Sequence, residues 1–177
     1  MKVLKFGGSS VADAERIRKV AEIIRGKTEK GENAAVVISA MGGVTGKLLQ
    51  VCESVASSVN GADFIIREIE EIHLDTARSL LPVERQPRVL AEIMSLCNEL
   101  SDIVRGASLL SEVTPRTCDL ILSFGERLSA SMLCEVLRPD FPEASYVDAR
   151  DIIRTNSDFG KAKVDFETSY RLIRDCF

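Results

Sequence analysis

The sequence predicts an α/β fold built on a mostly parallel sheet. Two segments near the beginning of the chain repeat one order, a short apolar strand, a glycine-rich turn and an amphipathic helix. Consecutive strands joined through a helix lie parallel in one sheet, with a right-handed crossover. Composition is the third observation, since 45% of the 177 residues are hydrophobic and 28% are charged. Such a chain is typical of one globular domain rather than a disordered tail.

The first unit begins with a predicted strand at residues 3–6, which stops at Gly7 and Gly8. Apolar residues then recur at helical spacing up to Gly26, so we expect a helix that begins near Val11. Its predicted N-caps are Ser9 and Ser10. The strand, the turn and the helix together form the first β-α unit.

The second unit begins with residues 34–39, a continuous apolar and β-branched run that is typical of a strand covered on both faces. It stops at the glycine-rich turn of residues 42–46. The helix that follows has one apolar face, formed by Leu48, Val51, Cys52, Val55 and Val59.

Helices dominate the remainder of the chain. Apolar stripes in residues 65–72 and 89–104 predict two helices that pair antiparallel, with no strand between them. Thr114 and Pro115 predict the start of another helix. We expect that segment to end at Gly125 and a helix to run over residues 126–137. The predictions for the last part are a third strand at 144–147, a polar loop at 154–163 and a final helix at 165–176.

Charge and composition exclude several classes of protein. The chain has 23 Lys and Arg against 27 Asp and Glu, a formal net charge of −4. A nucleic-acid partner is therefore not expected, because such proteins usually carry a basic excess. No apolar run is long enough to span a bilayer and no signal peptide opens the sequence. We expect a cytoplasmic protein with no membrane partner.

Cysteine and histidine are too sparse for a metal site of the usual kinds. The cysteines have no C-x-x-C spacing and are interpreted as buried thiols of a reducing compartment; they are Cys52, Cys97, Cys118, Cys134 and Cys176. His73 is the only histidine, which removes any multi-histidine metal site. We expect it to be a surface or half-buried helix residue.

The turn after the first strand is the strongest candidate for a ligand site. Lys5 stands at the carboxyl end of that strand, where open α/β sheets bind ligands. Gly7 and Gly8 allow backbone N–H groups to approach phosphate oxygens. The alternative is a tight turn that happens to follow a lysine. A G-x-G-x-x-G loop does not occur, and Met41 and Leu48 break the Walker A pattern.

Two further segments carry polar groups that are candidates for ligand binding. Residues 39–45 follow the second strand, whose carboxyl end lies at the same edge of a parallel sheet. By itself this segment is a glycine turn with Thr45 as a helix cap. Gly125 and Glu126 place a carboxylate at the expected start of a helix, where the helix dipole alone would favour it.

Together these segments resemble the aspartokinases of the amino-acid kinase family. The matching motifs are K-F-G-G-S-S-V at 5–11, S-A-M-G-G-V-T at 39–45, G-E-x-x-S at 125–129 and R-T-N-x-x-F-G at 154–160. Their order and spacing agree over nearly the whole chain. The resemblance implies the N-terminal half of a three-layer α/β/α sandwich. Residues 1–177 would form the aspartate-binding part of one kinase domain, before its nucleotide-binding half.

The resemblance also implies an activity, the ATP-dependent phosphorylation of the L-aspartate β-carboxylate to 4-phospho-L-aspartate, which begins lysine, threonine and methionine biosynthesis. The residues that match the family's ATP-phosphate site are Lys5, Gly7, Gly8 and Ser9, with Lys5 as the catalytic cation. The residues that match its aspartate site are Ser39, Thr45 and Glu126, with Glu126 facing the α-ammonium group. ATP implies Mg²⁺, whose protein ligands are expected outside this chain. The full-length protein is expected to be a homo-oligomer.

Two departures from the family pattern limit this reading. Gly46 stands where the family commonly has Asn or Asp, so a side-chain contact at that position is not expected. The chain also stops before the family's second half, and for that reason we expect this chain to be inactive alone. Residues 109–129 resemble forms fused to homoserine dehydrogenase. The alternatives are a kinase of the glutamate 5-kinase or acetylglutamate kinase type, or a non-catalytic binding module. The 39–45 turn together with Glu126 is the feature that favours aspartate.

Overall fold

Seven helices and two parallel strands make up the part of the chain that the computed structural model describes, residues 2–28, 34–57 and 61–177. In chain order they are β1 (Lys2–Phe6), α1 (Ala14–Thr28), β2 (Ala34–Ile38), α2 (Val44–Ala56), α3 (Ala62–Leu80), α4 (Gln86–Leu110), α5 (Pro115–Leu137), α6 (Ala149–Ile152) and α7 (Phe166–Cys176). The strands pair in parallel, with Lys2 opposite Ala34 and Phe6 opposite Ile38. The predicted α/β class with a parallel sheet is confirmed.

The hydrophobic core lies among helices α1 to α5. The stripes predicted from helical periodicity point inward, and the largest fully buried side chains include Ile17, Leu48, Ile69, Ile93, Leu100, Ile121, Phe124, Leu128 and Met132. Val59 of the second predicted stripe lies outside the described residues. Burying each such side chain contributes about 1.5–3 kcal/mol to folding, so these helices hold the short sheet in place.

The long helices α3 and α4 form the predicted pair. They are joined through Leu81 and a 3-10 turn at Val83–Arg85, and this connection contains no strand. α3 also packs against α2, and α4 against α5. No helix in the described ranges is long and apolar enough to cross a membrane.

One face of the sheet is open, which corrects the expectation that β2 is covered on both faces. The side chains of Val3 and Val37 are 66% and 50% exposed. Ile38, which points to the opposite face, is buried against the helices. Only one of the two apolar faces of β2 is therefore buried within the described residues.

Three local predictions were wrong: the start of α1, a strand at residues 144–147 and a break in α5 at Gly125. Helix α1 begins at Ala14 and is capped by Asp13, whose Oδ1 accepts from the Arg16 N–H at 2.9 Å. Ser9 and Ser10 belong instead to a 3-10 turn, Gly8–Ser10. Residues 144–147 do not form a strand, because they have no strand partner among the described residues. α5 is one continuous helix through Gly125 rather than two segments.

The five cysteines differ in exposure more than the sequence suggested. Cys52, Cys97 and Cys134 are buried as expected, whereas Cys118 is half-buried and Cys176 is exposed. The prediction of five buried thiols was therefore wrong for the last two. Cys176 is the final residue of the amphipathic helix α7, which buries little of its surface among the described residues.

His73 is fully buried in α3, which corrects the expectation of a surface or half-buried position. The ring Nδ1 lies 2.6 Å from the Ile69 carbonyl oxygen, so Nδ1 carries the proton and donates there. Nε2 has no hydrogen-bond partner among the described residues. Burial lowers the pKa of His73 below its ordinary 6.5, and this effect outweighs the opposite one of the hydrogen bond to Ile69.

We expect the free energy of unfolding to fall as the pH is lowered from about 6.5. The unfolded chain protonates His73 below that pH while the folded chain does not, so protons favour unfolding until the lower folded-state pKa is reached. Urea titrations between pH 5 and 7.5 of the natural chain and of His73→Leu measure this. The difference between the two curves should change across that window. A pH-independent difference would contradict neutral burial of His73.

Candidate active site

Lys5 and the turn after β1 form the first part of the site. The Lys5 side chain folds back over the turn, so that Nζ lies 3.7 Å from the position of a Cβ atom on Gly7. It is exposed and forms no ion pair with any described residue. The strand therefore presents an unneutralised ammonium group directly above a glycine backbone, as the sequence predicts for a phosphate-binding turn.

The 3-10 turn leaves two backbone donors open. Ser10 and Val11 donate to the carbonyls of Gly7 and Gly8 at 2.8 and 3.2 Å, which closes the turn. The N–H groups of Gly8 and Ser9 have no acceptor within the described residues. Arg16 of α1 donates through Nη1 to the Ser9 carbonyl oxygen at 2.7 Å and holds the turn in position. Two free amides beside a lysine are a suitable cradle for an anion.

The second turn, residues 39–45 after β2, lies against the first turn, residues 7–10 after β1. A Cβ atom on Gly8 would lie 3.3 Å from the Ala40 carbonyl oxygen and 3.8 Å from the Ser39 Oγ. The Ser39 N–H donates to the Phe6 carbonyl oxygen at 3.1 Å, which extends the strand pairing by one bond. The parallel register thus brings the two predicted turns together at one edge of the sheet. A side chain at position 8 would therefore require the second turn to shift by a few tenths of an ångström.

Thr45 lies in the first turn of α2. The helix begins after Gly43, whose φ of 80° is readily adopted by glycine and costly for other residues. The Thr45 side chain is exposed and makes no hydrogen bond with a described residue. Two positions on, the Lys47 Nζ lies 2.6 Å from Glu68 Oε2 and ties α2 to α3. The exposed Thr45 hydroxyl is therefore accessible to a ligand, at a helix start that the ion pair between Lys47 and Glu68 holds against α3.

Glu126 reaches the same edge from the middle of α5, not from a helix start. Its Oε1 accepts from the Ala40 N–H at 3.3 Å. The carboxylate is exposed and has no cationic partner among the described residues. The helix dipole acts only near helix ends, so it does not explain this carboxylate. Tertiary packing against Ala40 places it instead.

Gly125 explains why α5 can approach the second turn so closely. A Cβ atom at Gly125 would lie 2.7 Å from the Ala40 Cβ and 3.3 Å from a Leu48 methyl carbon. The sequence suggested a helix end at this glycine, whereas its role is close packing. α5 passes directly over the turn because residue 125 has no side chain.

We expect Gly125→Ala to lower the free energy of unfolding by about 1–3 kcal/mol, the usual cost of overpacking a core contact. Gly106→Ala is the matched control, since it lies exposed within α4 and an added Cβ would meet nothing within 4 Å. That control should gain up to about 1 kcal/mol from helix propensity. Chemical denaturation of both variants measures the contrast. Similar effects of both changes would contradict the close approach of α5 to Ala40.

Ser129 is a buried support for the second turn, and the sequence analysis gave it no role. Its Oγ donates to the Ser39 carbonyl oxygen at 2.7 Å and lies 3.1 Å from the Glu126 carbonyl oxygen. Serine at this position is fully buried. The spacing of Glu126 and Ser129 puts both on one face of α5, so each bonds to the backbone of the second turn.

Arg127 is directed away from the site and does not neutralise Glu126. Its guanidinium donates to both carboxylate oxygens of Glu99, at 3.0 and 2.7 Å, and lies over the Phe124 ring at 4.4 Å. The hydrogen bond from Arg127 lowers the pKa of Glu99. Asp148 lies 3.5 Å from the Arg127 Nε. Because Arg127 pairs with Glu99 and Asp148, the Glu126 carboxylate has no cation beside it among the described residues.

The last family-like segment docks on the start of α5, away from the turns. Its loop is closed by pairing of Thr155 with Val164. The Gly160 N–H donates to Asp119 Oδ2 at 2.8 Å, and Arg116 lies over the Phe159 ring at 5.6 Å. The structure therefore attaches this motif to the same helix that carries Glu126.

A metal site is not formed by the residues described. No cluster of three histidine, cysteine, aspartate or glutamate side chains is suitably placed in the ranges that the structure describes. The described residues therefore form no dedicated protein cage for the Mg²⁺ that accompanies ATP, an ion that proteins usually bind through one or two carboxylates together with substrate phosphates.

The fold, with two glycine-rich turns at the carboxyl edge of a parallel sheet, is that of an α/β protein whose ligand site is expected at that edge. The chain belongs to the amino acid kinase family, which it matches over residues 1–177. Within that family it is similar to aspartokinases, as the motifs predicted. It is 36% identical over 172 residues to Aspartokinase 1, chloroplastic, of Arabidopsis thaliana, a match that covers 95% of this chain and 29% of the relative. A bifunctional aspartokinase/homoserine dehydrogenase of Zea mays is 28% identical over 154 residues, 87% of this chain and 16% of the relative.

Solved structures show the same relationship. E. coli aspartokinase III in complex with aspartate and ADP superposes with a TM-score of 0.84 at 28% identity, over 98% of this chain and 37% of that one. Clostridium acetobutylicum aspartate kinase, at 20% identity and a TM-score of 0.67, shares the fold. The chain thus spans less than a third of the length of the plant aspartokinases it matches.

Proposed function

We propose that this chain is the aspartate-binding part of an aspartate kinase, which phosphorylates the β-carboxylate of L-aspartate with ATP. The observation that carries the proposal is the convergence of three separate motifs at one backbone position, Ala40. Gly8 packs on its carbonyl oxygen, Gly125 on its Cβ, and Glu126 accepts from its N–H. An anion-binding turn and an open carboxylate thereby lie at one edge of the sheet.

The proposed roles follow from charge and position. The Lys5 ammonium and the free N–H groups of Gly8 and Ser9, with Gly7 beneath the lysine, bind ATP phosphate oxygens. The lysine neutralises negative charge on the phosphoryl group as it moves to a β-carboxylate oxygen of aspartate and ADP leaves. Phosphoryl transfer depends mainly on such positioning and charge stabilisation. ATP is therefore proposed as co-substrate of the complete domain.

The aspartate side of the site is proposed to use Glu126, Thr45 and Ser39. The Glu126 carboxylate pairs with the α-ammonium group, because no described cation competes for it. The Thr45 hydroxyl, at an exposed helix start, binds a substrate carboxylate together with the helix dipole. Ser39 borders the phosphate turn through its Oγ. E. coli aspartokinase III, to which this chain is similar, was crystallised with aspartate and ADP, which supports aspartate and a nucleotide as the two ligands.

Calorimetric titration of the chain with amino acids tests the proposal. L-Aspartate should bind at least about tenfold more tightly than L-glutamate, since one methylene is worth about 1–3 kcal/mol in a fitted site. N-acetyl-L-aspartate, which lacks the ammonium charge, should bind more weakly than L-aspartate. Equal affinity for aspartate and glutamate would favour another amino-acid kinase, and no binding of either would favour a non-catalytic module.

We expect the chain alone to form no aspartyl phosphate in a hydroxamate assay with ATP and magnesium. It spans 29% of its plant relatives, and holding two reactants in attack geometry accounts for about 7–11 kcal/mol of a barrier. The control is a full-length relative measured in parallel. Turnover by the chain at a few per cent of that rate would show that it contains a complete catalytic cleft.

A further inference from the structure

Cys52 and Cys118 form a pair of thiols that the proposed kinase chemistry does not use. Their sulfur atoms lie 2.8 Å apart, although the residues are 66 positions apart in sequence. Cys52 lies on the buried face of α2 and Cys118 in the first turns of α5. Two sulfurs at this separation need only a small further approach to reach the bond length of a disulfide, about 2.05 Å.

The two thiols differ in access. Cys52 is 6% exposed, whereas Cys118 is half-buried and open to small molecules. Burial, and then the hydrogen bond with Cys118, raises the pKa of Cys52 to about 12. Cys52 is therefore a protonated, sheltered thiol. Cys118 is the sulfur that a dissolved oxidant reaches first.

The other cysteines have no comparable arrangement. Cys97 is buried without a sulfur neighbour among the described residues, and the Cys134 thiol lies 3.6 Å from the Ala144 carbonyl oxygen. Cys176 is exposed at the end of α7. Within the described ranges, Cys52 and Cys118 alone lie in bonding range of each other.

We propose that Cys52 and Cys118 form a reversible disulfide that locks α2 to α5 when the chain meets hydrogen peroxide. The Cys118 sulfur, as its thiolate, attacks peroxide; an S–O bond forms, the O–O bond breaks and hydroxide leaves. This gives a sulfenic acid at Cys118. The hydroxide released in that step takes the Cys52 proton and becomes water, and the Cys52 thiolate attacks the Cys118 sulfur. The S–S bond forms, the S–O bond breaks, and the oxygen leaves as hydroxide, which takes up the proton that Cys118 lost and becomes water. Both thiols together lose two electrons, and one peroxide becomes two waters.

The position of this bond gives it a structural consequence. Helix α2 begins at the second turn, and α5 carries Gly125 and Glu126 over that turn. A cross-link between the same two helices ties them covalently about two helical turns along each helix from the second turn. It also closes a long loop of the unfolded chain, which stabilises the folded state by lowering the entropy of the unfolded one. The inference does not depend on which ligand the turns bind.

Peptide mapping after oxidation tests the proposal. The chain is treated with hydrogen peroxide, residual thiols are alkylated without reduction, and the tryptic peptides 48–67 and 117–127 contain Cys52 and Cys118 respectively. We expect these peptides to be linked, with a mass two hydrogens below their sum, and to separate after dithiothreitol. Oxidised peptides 117–127 that stay unlinked, or links confined to Cys176, would overturn the proposal.

Thermal unfolding provides a second readout. The oxidised natural chain should melt at a higher temperature than the reduced chain, and reduction should reverse the shift. Cys118→Ser should abolish both the linked peptide and the shift, and Cys97→Ser, as the matched control, should leave both intact. Cys52→Ala is the second variant, and it should likewise show no linked peptide. An equal shift in oxidised Cys118→Ser would contradict the cross-link.

Discussion

Glu126→Gln is expected to weaken L-aspartate binding about 30-fold or more. Removing one charge from a paired site costs about 2–5 kcal/mol because the other charge remains unpaired. The lower end applies here, since the Glu126 side chain is exposed among the described residues and solvent screens the pair. Glutamine keeps an oxygen that can accept from the Ala40 N–H, so the second turn should stay in place. Calorimetric titration of the chain with L-aspartate measures the change.

The control for Glu126 is Glu53→Gln, an equal loss of charge at an exposed position of α2. It should change aspartate affinity less than twofold. N-acetyl-L-aspartate supplies a further check, since the variant at Glu126 should bind it about as weakly as the natural chain does. Equal loss of affinity for aspartate and its acetylated form would show that Glu126 supports the turn and does not contact the ammonium group.

Lys5→Ala is expected to lower kcat by about 10²–10³ in an aspartokinase polypeptide that contains this chain together with the rest of the kinase domain. A preorganised charge that acts where negative charge develops is worth that much in mutational studies. The side chain lies over Gly7 and is unpaired among the described residues, so no structural contact is lost with it. Coupled measurement of ADP release gives kcat and both KM values.

Lys27→Ala is the matched control for Lys5, because it removes the same charge from an exposed position of α1 away from the turn. It should leave kcat unchanged. If Lys5→Ala raised only the KM for ATP, the lysine would bind the ground state and the transition state equally. An unchanged kcat and KM would remove Lys5 from the site.

Local signals in the sequence predicted where β1 and β2 end and a glycine turn begins, although helix α2 starts at Val44, inside the predicted turn of residues 42–46. Hydrophobic periodicity located β1, β2 and the long helices, because strand and helix periods are read within a few residues. The glycines after each strand marked both turns. Parallel pairing then implied that the turns lie at one edge, and the Gly8 contact with Ala40 confirms this.

Features that depend on distant partners in the chain were predicted wrongly. Gly125 resembles a helix end by composition, yet it permits close contact with Ala40, 85 positions earlier in the chain. Residues 144–147 have strand character but no partner strand among the described residues. His73 was expected at the surface or half-buried, and only the packing of α3 among other helices buries it fully.

The sequence by itself determined the β-α units, the family-like motifs and the residue types of the site, since these depend on local periodicity and on the chemistry of single side chains. The tertiary structure alone decided that Ala40 joins three motifs, that Ser129 supports the second turn and that Cys52 meets Cys118. Each of these contacts joins residues far apart in the chain. Their formation depends on how α5 packs across α2 and β2, which no short window of sequence contains.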